Sequence, residues 1–181
     1  MRTVSRALLT LCLFWNVVAF ARQPTPHLPD PDLTPGDVFD VTLTDICTPG
    51  YSKTVRAVPK YLRDQVFRNY GIESHQRSNY QLDHLIPLAI GGSNSVRNLW
   101  PQPYNASPWG ARAKDRLENR LHRLVCDGKL DLKTAQQEIA ADWTKAYRKH
   151  VGAPPVVAAR EPPVRPTASG HEVWVNTHSG K

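Results

Sequence analysis

Histidine and cysteine are never spaced in this chain as a zinc finger requires. His75, His122, His150, His171 and His178 stand apart, and there are only three cysteines, which argues against a structural zinc. No apolar run reaches the roughly 20 residues that a helix needs to cross a bilayer; the longest, Ala7 to Phe20, stops short of it. No segment repeats, which excludes a solenoid or propeller. Acidic residues are in the minority, 16 against 23 Lys and Arg, for a formal net charge of +7. That balance suits a polyanionic partner, but many exported proteins are as basic, so it selects no function alone.

The N-terminus reads as an export signal. Arg2 and Arg6 precede the apolar run, and Ala19-Phe20-Ala21 puts small residues where a signal peptidase reads them. Residues 1–21 are therefore predicted to be a removable signal peptide, with a retained anchor as the alternative, and the protein to be secreted or periplasmic. A lipoprotein signal is excluded because Leu11 is bulky in front of Cys12. Cleavage removes two arginines and no acid, taking the charge from +7 to +5. It also removes Cys12. Cys47 and Cys126 then form an even pair in an oxidising compartment and are predicted to be bridged.

Five prolines mark residues 22–35 as an extended linker. Residues 36–151 hold the folded domain, and the Pro- and Ala-rich stretch 152–181 is predicted to be a disordered tail. Phe39, Val41 and Leu43 alternate with polar residues, which predicts a strand or extended arm from Val38 to Ile46. Leu62, Val66 and Tyr70 predict a helix from Pro59 to Tyr70, ended by Gly71. A hairpin follows from Tyr80 to about Pro103. A helix from about Pro108 to Cys126 carries the stripe Ala113, Leu117, Leu121 and Leu124. Asp131 caps a last helix, Leu132 to about His150, whose Ala135, Ile139, Trp143 and Ala146 face inward. Trp100, Trp109 and Trp143 read as core. The fold class is α+β: a small hairpin-and-helix core with additional packing helices and disordered Pro-rich termini.

The run Tyr80-Gln81-Leu82-Asp83-His84-Leu85-Ile86-Pro87 places a carboxylate beside an imidazole inside a strand. Neighbouring strand residues point to opposite faces, so both are solvated only at the floor of a cleft. Gly91-Gly92 turns the chain and Asn98-Leu99-Trp100 opens a second strand. An acid, an imidazole and an amide on one hairpin suit metal-assisted hydrolysis.

The pattern Asp83-His84-x-x-Pro87, Gly91-Gly92 and Asn98-Leu99-Trp100-Pro101 resembles the HNH endonucleases, whose site is the ββα-metal finger. Cys47-Thr48-Pro49-Gly50-Tyr51-Ser52, Tyr70-Gly71-Ile72 and Lys114-Asp115-Arg116-Leu117-Glu118 look like a group of exported bacterial HNH-like proteins, so that the resemblance covers about Val38 to Tyr147. It implies an exported, metal-dependent endonuclease that hydrolyses phosphodiester bonds of DNA, with RNA left open as a substrate. The alternative is a non-catalytic exported binding module that keeps the hairpin as a scaffold.

In that resemblance His84 is the general base and Asp83 a ligand to a divalent metal, Mg2+ first, with Mn2+ or Zn2+ as alternatives. Asn98 ties the hairpin loop and so orients the base. One carboxylate holds a metal poorly, so the helix is expected to supply another ligand from Asp115 or Glu118, which are three residues apart and share a face; Asn105 is a third candidate. Both acids also read as solvated helix residues pairing with Arg112, Asn119 or His122. Lys114 is the candidate phosphate contact, or else a surface charge. Two departures stand out: Gln81 replaces a frequent glutamate and Ala89 a frequent acid, which lowers the charge available to a metal. The segment Val173 to Lys181 looks like the opening of a C-terminal motif of some relatives, cut short.

Overall fold

Thr42 and Asp45 decide where the alternating stretch ends. Their side chains cap one another's backbone, Thr42 Oγ1 accepting from Asp45 N at 3.2 Å and the Asp45 carboxylate accepting from Thr42 N at 2.7 Å, so a helix starts there. In this computed structural model, which describes residues 27–154, that helix is α1 (Leu43–Cys47). Of the strand or extended arm expected from Val38 to Ile46, the arm is present up to Thr42, with one antiparallel bridge from Val38 to Gly92, and the helix replaces the remainder. The signal peptide and nearly all of the tail expected from the sequence lie outside the described residues.

Helix α2 (Tyr51–Val55) is short. Helix α3 (Lys60–Asn69) follows Pro59, buries Val66 and Phe67, and ends before Gly71, whose φ of 66° reverses the chain. A 3-10 turn, Ser74–Asn79, delivers β1 (Tyr80–His84). Strand β1 pairs antiparallel with β2 (Leu99–Pro103) in a two-stranded sheet, with Asp83 opposite Trp100 and His84 opposite Leu99. Between them Leu88–Ile90 makes a 3-10 turn. Gly92 admits no side chain, because a Cβ there would lie 1.8 Å from the Ile86 carbonyl oxygen.

Helix α4 (Ala111–Cys126) buries Ala113, Lys114, Leu117, Leu121 and Val125. Val125, rather than the expected Leu124, completes the stripe. Helix α5 (Leu132–His150) starts at the Asp131 cap, as its sequence predicts, but is broken at Asp142, where φ is −168° and ψ 98°. The Asp142 carboxylate accepts from Thr144 N at 2.9 Å and Lys145 N at 3.1 Å, so Asp142 acts as an N-cap for a second segment. The break leaves the inward face intact: Ala135, Ile139, Trp143 and Ala146 are all buried. Trp109 meets Trp143 and Tyr147 edge-on, with ring centroids 5.7 and 5.5 Å apart.

Helix α3 packs on β2, and α4 packs on the 3-10 turn between the strands and reaches the Asp83 face of β1 through Lys114. A disulfide joins Cys47 at the end of α1 to Cys126 at the end of α4, with Cα atoms 5.7 Å apart. The described part of the Pro-rich stretch is not a free linker. The buried Thr34 donates to the Leu99 carbonyl at 3.0 Å, and Trp143 Nε1 donates to the His27 carbonyl at 2.7 Å; backbone polar groups on this stretch find partners in the core and lay it down.

Candidate active site

Strand alternation sorts the hairpin residues. Gln81 and Asp83 share a face with their partners Gln102 and Trp100, and this face looks toward α4. Tyr80, Leu82 and His84 share the other. Gln81, noted for its missing charge, donates instead to Gln102 Oε1 at 2.7 Å.

Asn98 is fully buried and its side chain ties the hairpin loop together. Its Oδ1 accepts from Ile86 N at 2.9 Å, and its Nδ2 donates to the Ile86 and Ser93 carbonyls, each at 2.9 Å. One side chain thereby satisfies three backbone groups across the loop that carries the chain away from His84.

The His84 imidazole is only 5% exposed. Asn94 anchors it: Asn94 Nδ2 donates to the Val55 carbonyl at 2.7 Å, which turns its Oδ1 toward His84 Nε2 at 2.9 Å. An amide oxygen only accepts, so the proton sits on Nε2 and the lone pair on Nδ1. Nδ1 has no hydrogen-bond partner among the described residues and is not one of the atoms sealed from solvent without one. Burial pushes the imidazole pKa below its ordinary value; the Asn94 bond and Asp83 oppose this, and the charges of Arg56 and Lys114 add to it. The ring is therefore neutral near pH 7, with one nitrogen available for a proton.

Asp83 leads to a different arrangement from the one expected. Lys114, the candidate phosphate contact or else a surface charge, is neither: it is 1% exposed and lies under the hairpin. Its ammonium meets Asp83 Oδ2 at 2.8 Å, the His84 carbonyl at 2.6 Å and Glu118 Oε1. An ammonium has three protons, and three acceptors use them, so none is left for a substrate. Burial works against the charge on Lys114, but Asp83 and Glu118 more than offset it and raise the pKa. Burial pushes Glu118 up to about 7, with Lys114 opposing and Asp83 and Asp115 adding. Asp115 is raised for similar reasons, burial first and the charge of Asp83 next.

The residues as folded do not fit a resident divalent metal. Asp83 Oδ2 and Glu118 Oε1 converge on the Lys114 ammonium, whose positive charge stands where a bridging cation would have to sit. Among the described residues no group of three His, Cys, Asp or Glu side chains is placed to hold one. Asn105 is exposed in the turn after β2.

The fold thus brings Asp83, Lys114, Glu118 and Asp115 together and sets His84 on the opposite face with Asn94 and Arg56. Neither Asn94 nor Arg56 carries a local signal, since each meets His84 only through the fold. The burial of Lys114 did leave a trace: Lys114, Leu117 and Leu121 follow the spacing of a helix face.

Comparison with protein-family models, curated proteins and solved structures finds no match for this chain. The disulfide is the feature that accords with an oxidising compartment, and no described helix is long and apolar enough to cross a membrane.

Proposed function

We propose that this chain is a nuclease that hydrolyses phosphodiester bonds, with DNA as its substrate and His84 as the general base. The observation that carries the reading is the state of His84: a neutral imidazole whose Nε2–H is fixed by Asn94 and whose Nδ1 is unpartnered. That is the condition for a base acting near neutral pH, because the proton-accepting atom is defined before substrate arrives. Nδ1 takes a proton from water while the resulting hydroxide attacks phosphorus. One P–O bond forms, the bond to the leaving oxygen breaks, and that oxygen is protonated from solvent. The imidazolium keeps its Nε2–H on Asn94. Arg56 is exposed, lies close enough to depress the imidazole, and has no ion-pair partner among the described residues, so it is the cation best placed for the phosphate.

One observation favours the alternative of a non-catalytic binding module: the Lys114 ammonium is consumed within its own cluster and offers no cation to a substrate on that face. The two readings part in one assay. Purified protein and His84→Ala are incubated with plasmid and with single-stranded DNA, in magnesium and in EDTA. Cleavage lost in His84→Ala supports the nuclease. Cleavage equal in both proteins removes His84 as the base, and binding without any cleavage selects the module.

A further inference from the structure

The face of β1 that carries His84 also carries Tyr80 and Leu82, and it does not end at the base. Beside it, at the Tyr80 end of the strand, lies a groove of about 370 Å³ lined by Arg63, Phe67, Arg77, Tyr80, Gln81, Leu82 and Tyr104. We infer that this groove is a subsite for a single-stranded segment of nucleic acid, its bases stacked on Tyr104 and Tyr80 and its phosphates held by Arg63 and Arg77. The inference rests on the nuclease reading and extends it from the scissile bond to the form of the substrate.

Charge supports that occupant. Arg63 is exposed and makes no ion pair among the described residues. Arg77 gives Nη1 to Asp64 Oδ1 at 2.6 Å and lies 5.0 Å over the Phe67 ring, while its Nε is buried with no partner. Asp64 is shared with Lys60 at 3.0 Å, so this side of α3 has more cations than acids. A polyanion is attracted here and an acidic residue is not needed to receive it.

The aromatic residues distinguish a single strand from a duplex. Tyr104 is 52% exposed and lines the groove, so part of its ring is open to a ligand. Every base offers a π-face to such a ring, but in a duplex those faces are already stacked. The spacing also fits. Tyr80 and His84 are four residues apart on β1, about 13 Å at strand rise, which is the reach of about four stacked nucleotides at 3.4 Å each or fewer when stretched. Bases held at Tyr80 and Tyr104 would therefore present a phosphate a few nucleotides away to His84.

Fluorescence anisotropy with a short labelled oligothymidylate, the corresponding duplex and an abasic strand of equal length tests this on the full chain. The expected result is tighter binding of the single strand than of the duplex. Tyr104→Ala weakens the oligothymidylate about tenfold and leaves the abasic strand unchanged, while Tyr104→Phe restores binding. Arg63→Ala weakens both strands and lowers the salt dependence by about 0.7 in the log–log slope. Equal binding by Tyr104→Ala and wild type, or preference for the duplex, overturns the subsite. Binding is read without turnover, so the two ideas fail separately. Binding through Tyr104 without cleavage sinks the nuclease and leaves the groove; cleavage with binding indifferent to Tyr104 does the reverse.

Discussion

Replacing Lys114 with methionine keeps the length of the side chain and removes the charge that three groups share. In the folded protein Asp83 and Glu118, 19% and 23% exposed at their side chains, would then face one another without a cation. The His84 carbonyl would lose its donor. Removing one partner of a buried pair costs about 3–5 kcal/mol, and partial exposure of both acids places this case at the lower end, about 3 kcal/mol. An unpaired carbonyl adds about 1 kcal/mol. Against a total stability of about 5–15 kcal/mol this is a large share, visible as a lower urea midpoint with an unchanged slope. The loss shrinks in mildly acidic buffer, because Glu118, already pushed up to about 7, takes a proton and ends the repulsion. Divalent cations are expected to raise the unfolding temperature of the variant, whose two acids now lack a cation, and to leave wild type unchanged. A change below about 1 kcal/mol at neutral pH, the scale of an exposed pair, would refute the clamp; so would an equal response of both proteins to metal.

The same cluster sets a pH dependence. Glu118 binds its proton more tightly in the folded chain, its pKa rising from 4.5 to about 7, so its contribution is full below pH 4.5 and is lost as pH rises through about 7. Urea midpoints across that window should fall with pH in wild type and lose part of that fall in Glu118→Gln. Asn98→Ala leaves three backbone groups of a buried loop unpaired and should cost about 3 kcal/mol or more by chemical denaturation; a cost under 1 kcal/mol would mean that the loop holds itself. Replacing both Cys47 and Cys126 with serine opens a loop of 79 residues and should cost about 4 kcal/mol in the chain-entropy account, read as a lower unfolding temperature that no longer responds to reductant.

Much of the hairpin was legible because its parts are close along the chain. Asp83, His84, Gly91, Gly92 and Asn98 fall within sixteen positions, and alternation assigns their faces without any knowledge of neighbours. Helices α3, α4 and α5 were legible from spacing and from Pro59, Gly71 and Asp131. The start of α1 and the break at Asp142 were missed although each has a capping side chain in the sequence, Thr42 with Asp45 and Asp142 with Thr144. Each cap lies inside a stretch whose alternation or helical spacing is the stronger local pattern.

The sequence by itself determined the hairpin, the inward faces of the long helices and a pair of cysteines able to close the fold, because each follows from local period, turn chemistry or parity. Tertiary structure alone decided which charge meets which. Lys114 became the internal counter-ion of Asp83 and Glu118 because α4 lies against one face of β1, where an ammonium must find acceptors once water is excluded. His84 received Asn94 because the loop and α2 meet on the other face. Pairings of this kind depend on the angle at which elements pack, and no spacing along the chain encodes that angle.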